Sequence, residues 1–150
     1  MQTLFDPAGR QPILDRLARL SPTAPRQWGK MDAGQMLAHC SKALSVAVGD
    51  ETRKQALIGR ILSPFVKASI LGEKPFSRNS PTDPTFVMTG SSKEFEQEKQ
   101  RLTELIDRFA AAGPEQAGRQ GHSFFGKLTG SEWGVLMHKH LDHHLRQFGA

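Results

Sequence analysis

Cysteine is nearly missing from this chain of 150 residues: Cys40 is the only one. A single thiol cannot close an internal disulfide, which excludes a disulfide-stapled scaffold and fits a reducing, cytoplasmic setting. Tyrosine is absent altogether; the aromatic residues are nine Phe and two Trp. No apolar run approaches the roughly 18 residues that mark a bilayer span, so no membrane contact is expected. Met1 to Arg10 lack the basic stretch and following apolar run of a secretory signal. Glycine-rich phosphate loops, Cys-x-x-Cys pairs and serine nucleophile elbows are missing as well. Strand-like alternation is almost absent, with Thr85-Phe86-Val87-Met88 the one short candidate.

Charge of one sign is in excess but not concentrated. Twenty Lys and Arg against fifteen Asp and Glu leave a net +5. The cations are spread as near-singles through Arg10, Arg16, Arg19, Arg26, Lys30 and Lys42, and aromatic residues do not interleave with them. That pattern reads as a solvated basic surface, and a nucleic-acid partner is not expected. A hydrophobic share of 37% is ordinary for a soluble globule. A single domain spanning 1–150 is long enough to bury roughly 70% of its unfolded surface.

What the sequence does hold is helical periodicity broken by proline and glycine. A first helix is expected from Pro12 to Leu20, with Ile13, Leu14, Leu17 and Leu20 in register, stopping at Pro22 and Pro25. A second opens at Asp32, where Gln35 completes a capping-box pattern, and ends near Gly49. A third, Thr52 to Leu71, aligns Leu57, Ile61 and Phe65, with Pro64 expected to kink or divide it. Gly72 to Ser91 reads as a long loop. Ser91 with Glu94 forms another capping pattern before a helix that ends at Gly113-Pro114. A second loop, Glu115 to Leu128, leads to a third box, Thr129 with Glu132, and a last helix from about Ser131 to Phe148. The class these segments predict is all-α: a four-helix bundle with long loops.

Four of six histidines crowd into His138 to His144. At about 100° per residue, Trp133, Met137, His140, His144 and Phe148 share one apolar stripe. His140 and His144 thus stack one turn apart on the face that must be buried. His138 lies about 160° from His140 and is expected to face water; His143 takes a flank about 60° to the other side. Burying two imidazoles is costly unless their nitrogens find partners, and either a metal ion or a carboxylate or carbonyl would serve. His39 sits on the apolar stripe of the second helix, between Met36 and Ala43. Facing helices stand about 8–10 Å apart, so imidazoles from both can meet. Three neutral nitrogens would bind zinc, nickel or a similar ion and leave a fourth position open. For His39 alone, a hydrogen-bonded core histidine explains the position too.

Met36-Leu37-Ala38-His39-Cys40 and His140-Leu141-Asp142-His143-His144-Leu145-Arg146-Gln147 resemble the DinB-like superfamily. Trp28-Gly29-Lys30-Met31 and His122-Ser123-Phe124-Phe125-Gly126-Lys127-Leu128-Thr129, leading into Glu132-Trp133, are similar to one branch of it whose function is unknown. The likeness runs from Leu4 to Gly149. It implies an up-down-down-up bundle, often dimeric, with His39, His140 and His144 as metal ligands. Some members of the superfamily are thiol S-transferases using bacillithiol, mycothiol or glutathione; others are an isomerase and stress-linked proteins. The resemblance does not choose a reaction.

Other residues carry two readings each. Cys40 is either a redox or nucleophilic thiol or a small buried hydrophobe. His122 follows Gly121 in a loop, where it is a candidate general acid or base over the open end of the bundle or a packing residue. Gln35 can orient His39 or simply cap its helix. Asp142 is turned away from both His140 and His144. Arg146 and Gln147 line the mouth or face solvent. Two functions fit: a metal-dependent hydrolase or thiol S-transferase acting on a small molecule, and a non-catalytic bundle that binds a small molecule or its own copy around structural histidines.

Overall fold

Capping chemistry sets where the helices begin. A computed structural model describes residues 1–78, 94–119 and 121–150. In α1 (Pro7–Arg19) the Asp6 carboxylate accepts from the Ala8 N–H at 2.9 Å, and Pro7 brings a preset φ to the first position. The helix therefore starts five residues ahead of Pro12, which lies inside it. In α2 (Ala33–Ala47) the Asp32 carboxylate accepts from Gln35 N at 2.8 Å, and the Gln35 amide oxygen accepts from Asp32 N at 2.9 Å. This is the expected capping box.

The third helix, α3 (Leu57–Leu71), starts later than Thr52 and runs through Pro64 undivided. Pro64 is exposed, so the carbonyl that loses its donor is open to water and the break costs less than it would in a core. Its orientation is a second departure from expectation. Leu57, Ile61 and Phe65 face outward, 73%, 57% and 81% exposed, while Gly59 and Ser63 face in. A Cβ on Gly59 would collide with the Phe124 backbone, so this close approach requires glycine. Around it, Ala56 N donates to Ser123 O at 2.8 Å and the Gln55 amide donates to Phe124 O at 2.9 Å.

Helix α4 (Phe95–Ala117) has Glu94 at its N-cap with no side-chain cap, so Glu94 does not serve as the third residue of a box; Ser91 lies outside the described residues. So do most of the Gly72–Ser91 loop and the Thr85–Met88 strand candidate. The expected stop at Gly113-Pro114 is present as an interruption: Gly113 sits at φ 72°, and Pro114 opens one last short turn. Where a plain loop was expected, β1 (Gly121–His122) pairs antiparallel with β2 (Gly126–Lys127) in a small hairpin. The final helix, α5 (Gly130–Gln147), opens on the Thr129–Glu132 capping box, and Glu132 also pairs with Lys67 at 2.8 Å.

The all-α class holds, with five helices and this hairpin among the described residues. Helix α5 contacts all four other helices, and α2 packs most extensively against α4. Between them lie Ile13, Leu17, Leu37, Leu44, Leu102, Ile106, Phe109, Trp133 and Leu141, each nearly or fully buried. A helix enclosed on several sides has no fully wet face, which corrects the expectation for His138. It is buried rather than solvated, because α1 covers that side and its ring donates to the Gly9 carbonyl. Among the described residues, no helix is long and apolar enough to cross a membrane.

Candidate metal centre

Helix α2 presents His39 and helix α5 presents His140 and His144 to one point. The ligating nitrogens of the three rings all lie within 4.8 Å of one another. Ring centroids are 4.7 to 4.9 Å apart, and His39 Nε2 is 2.9 Å from His140 Nε2. Nitrogens each about 2.05 Å from a tetrahedral ion would stand roughly 3.3 Å apart. One pair here is slightly closer and the others lie within 4.8 Å, so side-chain rotations would bring the rings onto an ion. His39 and His144 are buried and His140 partly so.

The tautomer of His144 follows from its neighbours. Gln147, one turn on, donates its amide N–H to the Trp28 carbonyl at 2.8 Å, which leaves its amide oxygen as an acceptor only. That oxygen is 2.9 Å from His144 Nδ1, so Nδ1 carries the proton and Nε2 keeps its lone pair. Gln147 is itself pinned: its backbone carbonyl accepts from Gln27 N at 2.6 Å, and a side chain on Gly29 would strike its amide. Gly29 also holds φ 80°, a second reason for glycine there. Thus Gln147 neither lines an open mouth nor faces solvent; it is buried and fixes a histidine. Sequence reasoning missed this role because the decisive partner, the Trp28 carbonyl, is 119 residues away. A glutamine three residues after an inward histidine was the signal available.

Electrostatics keep His140 and His144 neutral. Burial, then the charge that His39 could carry, pushes His144 from an ordinary 6.5 down to about 3, against the opposing effect of its Gln147 hydrogen bond. His140 is held well below its ordinary value by burial first, then by potential charge on His144, His39, His143 and His122. Neutral imidazoles offer the lone pairs that a divalent ion needs.

The remaining candidates fall around the cluster. His143 stays on the flank, between the rings of Trp28 at 5.5 Å and Phe76 at 5.9 Å. His122 stands on the hairpin against Phe125 and Trp133, with Nδ1 accepting from Phe124 N and Phe125 N at 3.0 and 3.2 Å. It is not one of the three converging rings. Cys40 points into the core 3.8 Å from Met36 Sδ, and burial drives its thiol far above the ordinary range, so it behaves as a hydrophobe. Asp142 does turn away, bonding Arg16 at 2.7 Å and Arg146 at 2.9 Å. Gln35 caps α2. One residue was not anticipated at all: Lys139 donates to the Ile70 and Gly72 carbonyls, tying the end of α3 to α5 beside His140.

A helical core in which three imidazoles converge from two elements defines a candidate divalent-metal protein. The chain belongs to the family described as Protein of unknown function (DUF1569), whose model matches residues 8–150. No curated protein and no solved structure matches it.

Proposed function

We propose that this chain is a metal-dependent enzyme of the DinB-like type. In this reading it is one domain over 1–150, with a four-helix core in up-down-down-up order and a cytoplasmic setting. His39, His140 and His144 are the ligands, and zinc or nickel is the ion. The observation that carries the reading is the convergence of three nitrogens within 4.8 Å, with Gln147 setting the tautomer of one. Three protein ligands leave room for an exogenous one, the arrangement of catalytic rather than structural sites. A bound divalent ion supplies Lewis acidity toward water or a thiol. The chain's own residues do the rest: Gln147 orients His144, burial keeps His140 and His144 neutral, and His122 is the candidate proton carrier on the hairpin. The reaction is hydrolysis of a small molecule or thiol S-transfer to one, with a low-molecular-weight thiol as cosubstrate in the second case.

Elemental analysis of the purified chain, as isolated and after zinc or nickel loading, tests the ligand set. About one ion per chain is expected, lost in His144→Ala with the helical circular dichroism intact. Unchanged stoichiometry in that variant would remove the centre.

A second reading is favoured by one observation. Leu57, Ile58, Ile61, Leu62 and Phe65 of α3 are all exposed along one helix, and clustered exposed apolar side chains mark interaction surfaces. A non-catalytic bundle that pairs with its own copy through α3, or binds a small molecule around structural histidines, would account for it. Self-association and catalysis are compatible, so activity panels with thiol cosubstrates on the metal-loaded chain decide between the two readings.

A further inference from the structure

The hairpin, the end of α4 and the segment leading into α3 enclose a cleft of about 250 Å³. Arg53, Arg119 and Lys127 line it together with Gln55, His122 and Gly126, and among the described residues no carboxylate does. Arg53 is paired with Glu51 at 3.0 Å, whereas Arg119 and Lys127 make no ion pair among the described residues. Like charges gathered round a concavity repel one another and focus a positive potential into it, and an anion relieves both effects. The walls are fixed rather than incidental. Gly126 sits at φ 66° where a Cβ would press on the Gln55 amide, and Gln55 is bonded to the Phe124 carbonyl.

His122 stands between this cleft and helix α5. It lines the cleft on one side and lies 5.4 Å from the Trp133 ring on the other. Trp133 stands on the same stripe of α5 as His140, two turns earlier, or about 10 Å along the axis.

We propose that this cleft is an oxyanion site, which receives the carboxylate or phosphate group of a small molecule. The capture of an anion there does not rest on the metal-dependent reading above. The ligand class is accordingly a small molecule with a negatively charged terminus.

The test uses the full chain stripped of metal, so that it stands apart from the fate of the metal centre. Inorganic phosphate and succinate are titrated at constant ionic strength, and backbone amide shifts are followed by NMR. Saturable shifts confined to 119–127 and 53–55 are expected from at least one of the two. Arg119→Gln and Lys127→Gln, both at exposed positions, should each weaken that binding about fivefold. Phosphate binding alone assigns a phosphorylated ligand, and succinate binding alone a carboxylate. Absence of saturable shifts with both probes, or an affinity in both variants equal to that of the unaltered chain, overturns the site. A 20-base-pair duplex that bound more tightly than either probe, with steep salt dependence, would overturn the small-molecule assignment.

Discussion

An imidazole buried among hydrophobic side chains needs partners for its nitrogens, and the Gln147 amide oxygen holds His144 through Nδ1. The ring stands 4.7 Å, centroid to centroid, from those of His39 and His140. Removing the orienting partner should therefore hurt metal binding more than folding. Gln147→Leu is expected to weaken zinc affinity about 10- to 100-fold, read by competition with a chelating dye, while His144 remains in place. The pH dependence follows from the same burial. His144 has a folded value of about 3 against an ordinary 6.5, so below pH 6.5 the unfolded chain binds a proton that the native one refuses. Stability is complete above that value and falls with pH down to about 3. In the metal-free chain the loss from this residue should reach about 2 kcal/mol by pH 5. Denaturant melts at pH 7 and 5 would show it, and His144→Leu should flatten the difference.

At the scale of elements, the sequence was legible wherever the determining chemistry is local. The capping boxes of α2 and α5 stand where Asp32–Gln35 and Thr129–Glu132 put them, because cap and helix are three residues apart. Thr129→Ala should lower stability by about 1 kcal/mol in equilibrium unfolding, and by fraying the entry of α5 rather than disturbing His140 and His144, about three and four turns on. The misreadings share a cause: each depended on a neighbour distant in sequence. Pro12 looked like a helix start until Asp6 and Pro7 claimed that role. His138 looked wet because nothing in α5 itself announces that α1 lies over it. Gly59 gave no periodic signal, yet its contact with Phe124 decides which face of α3 turns inward.

For the molecule as a whole, that inverted α3 leaves an apolar surface facing outward. Self-association through it predicts a dimer in sedimentation velocity, and the double change Ile61→Lys with Phe65→Lys should yield a monomer of unaltered helical content. A monomeric native chain would show that the patch serves another purpose. Lys139, next to His140, holds the end of α3 against α5.

Composition and period alone sufficed for the helical class, for the inward stripe of α5 and for the pairing of His140 with His144 one turn apart, since all three depend on dihedral geometry repeated along one element. The meeting of His39 with that pair, the tautomer imposed through Trp28 and Gln147, and the basic cleft beside His122 were settled only when separate elements packed. Contacts between residues about a hundred positions apart are set by the sum of many packing energies, and no local pattern encodes that sum.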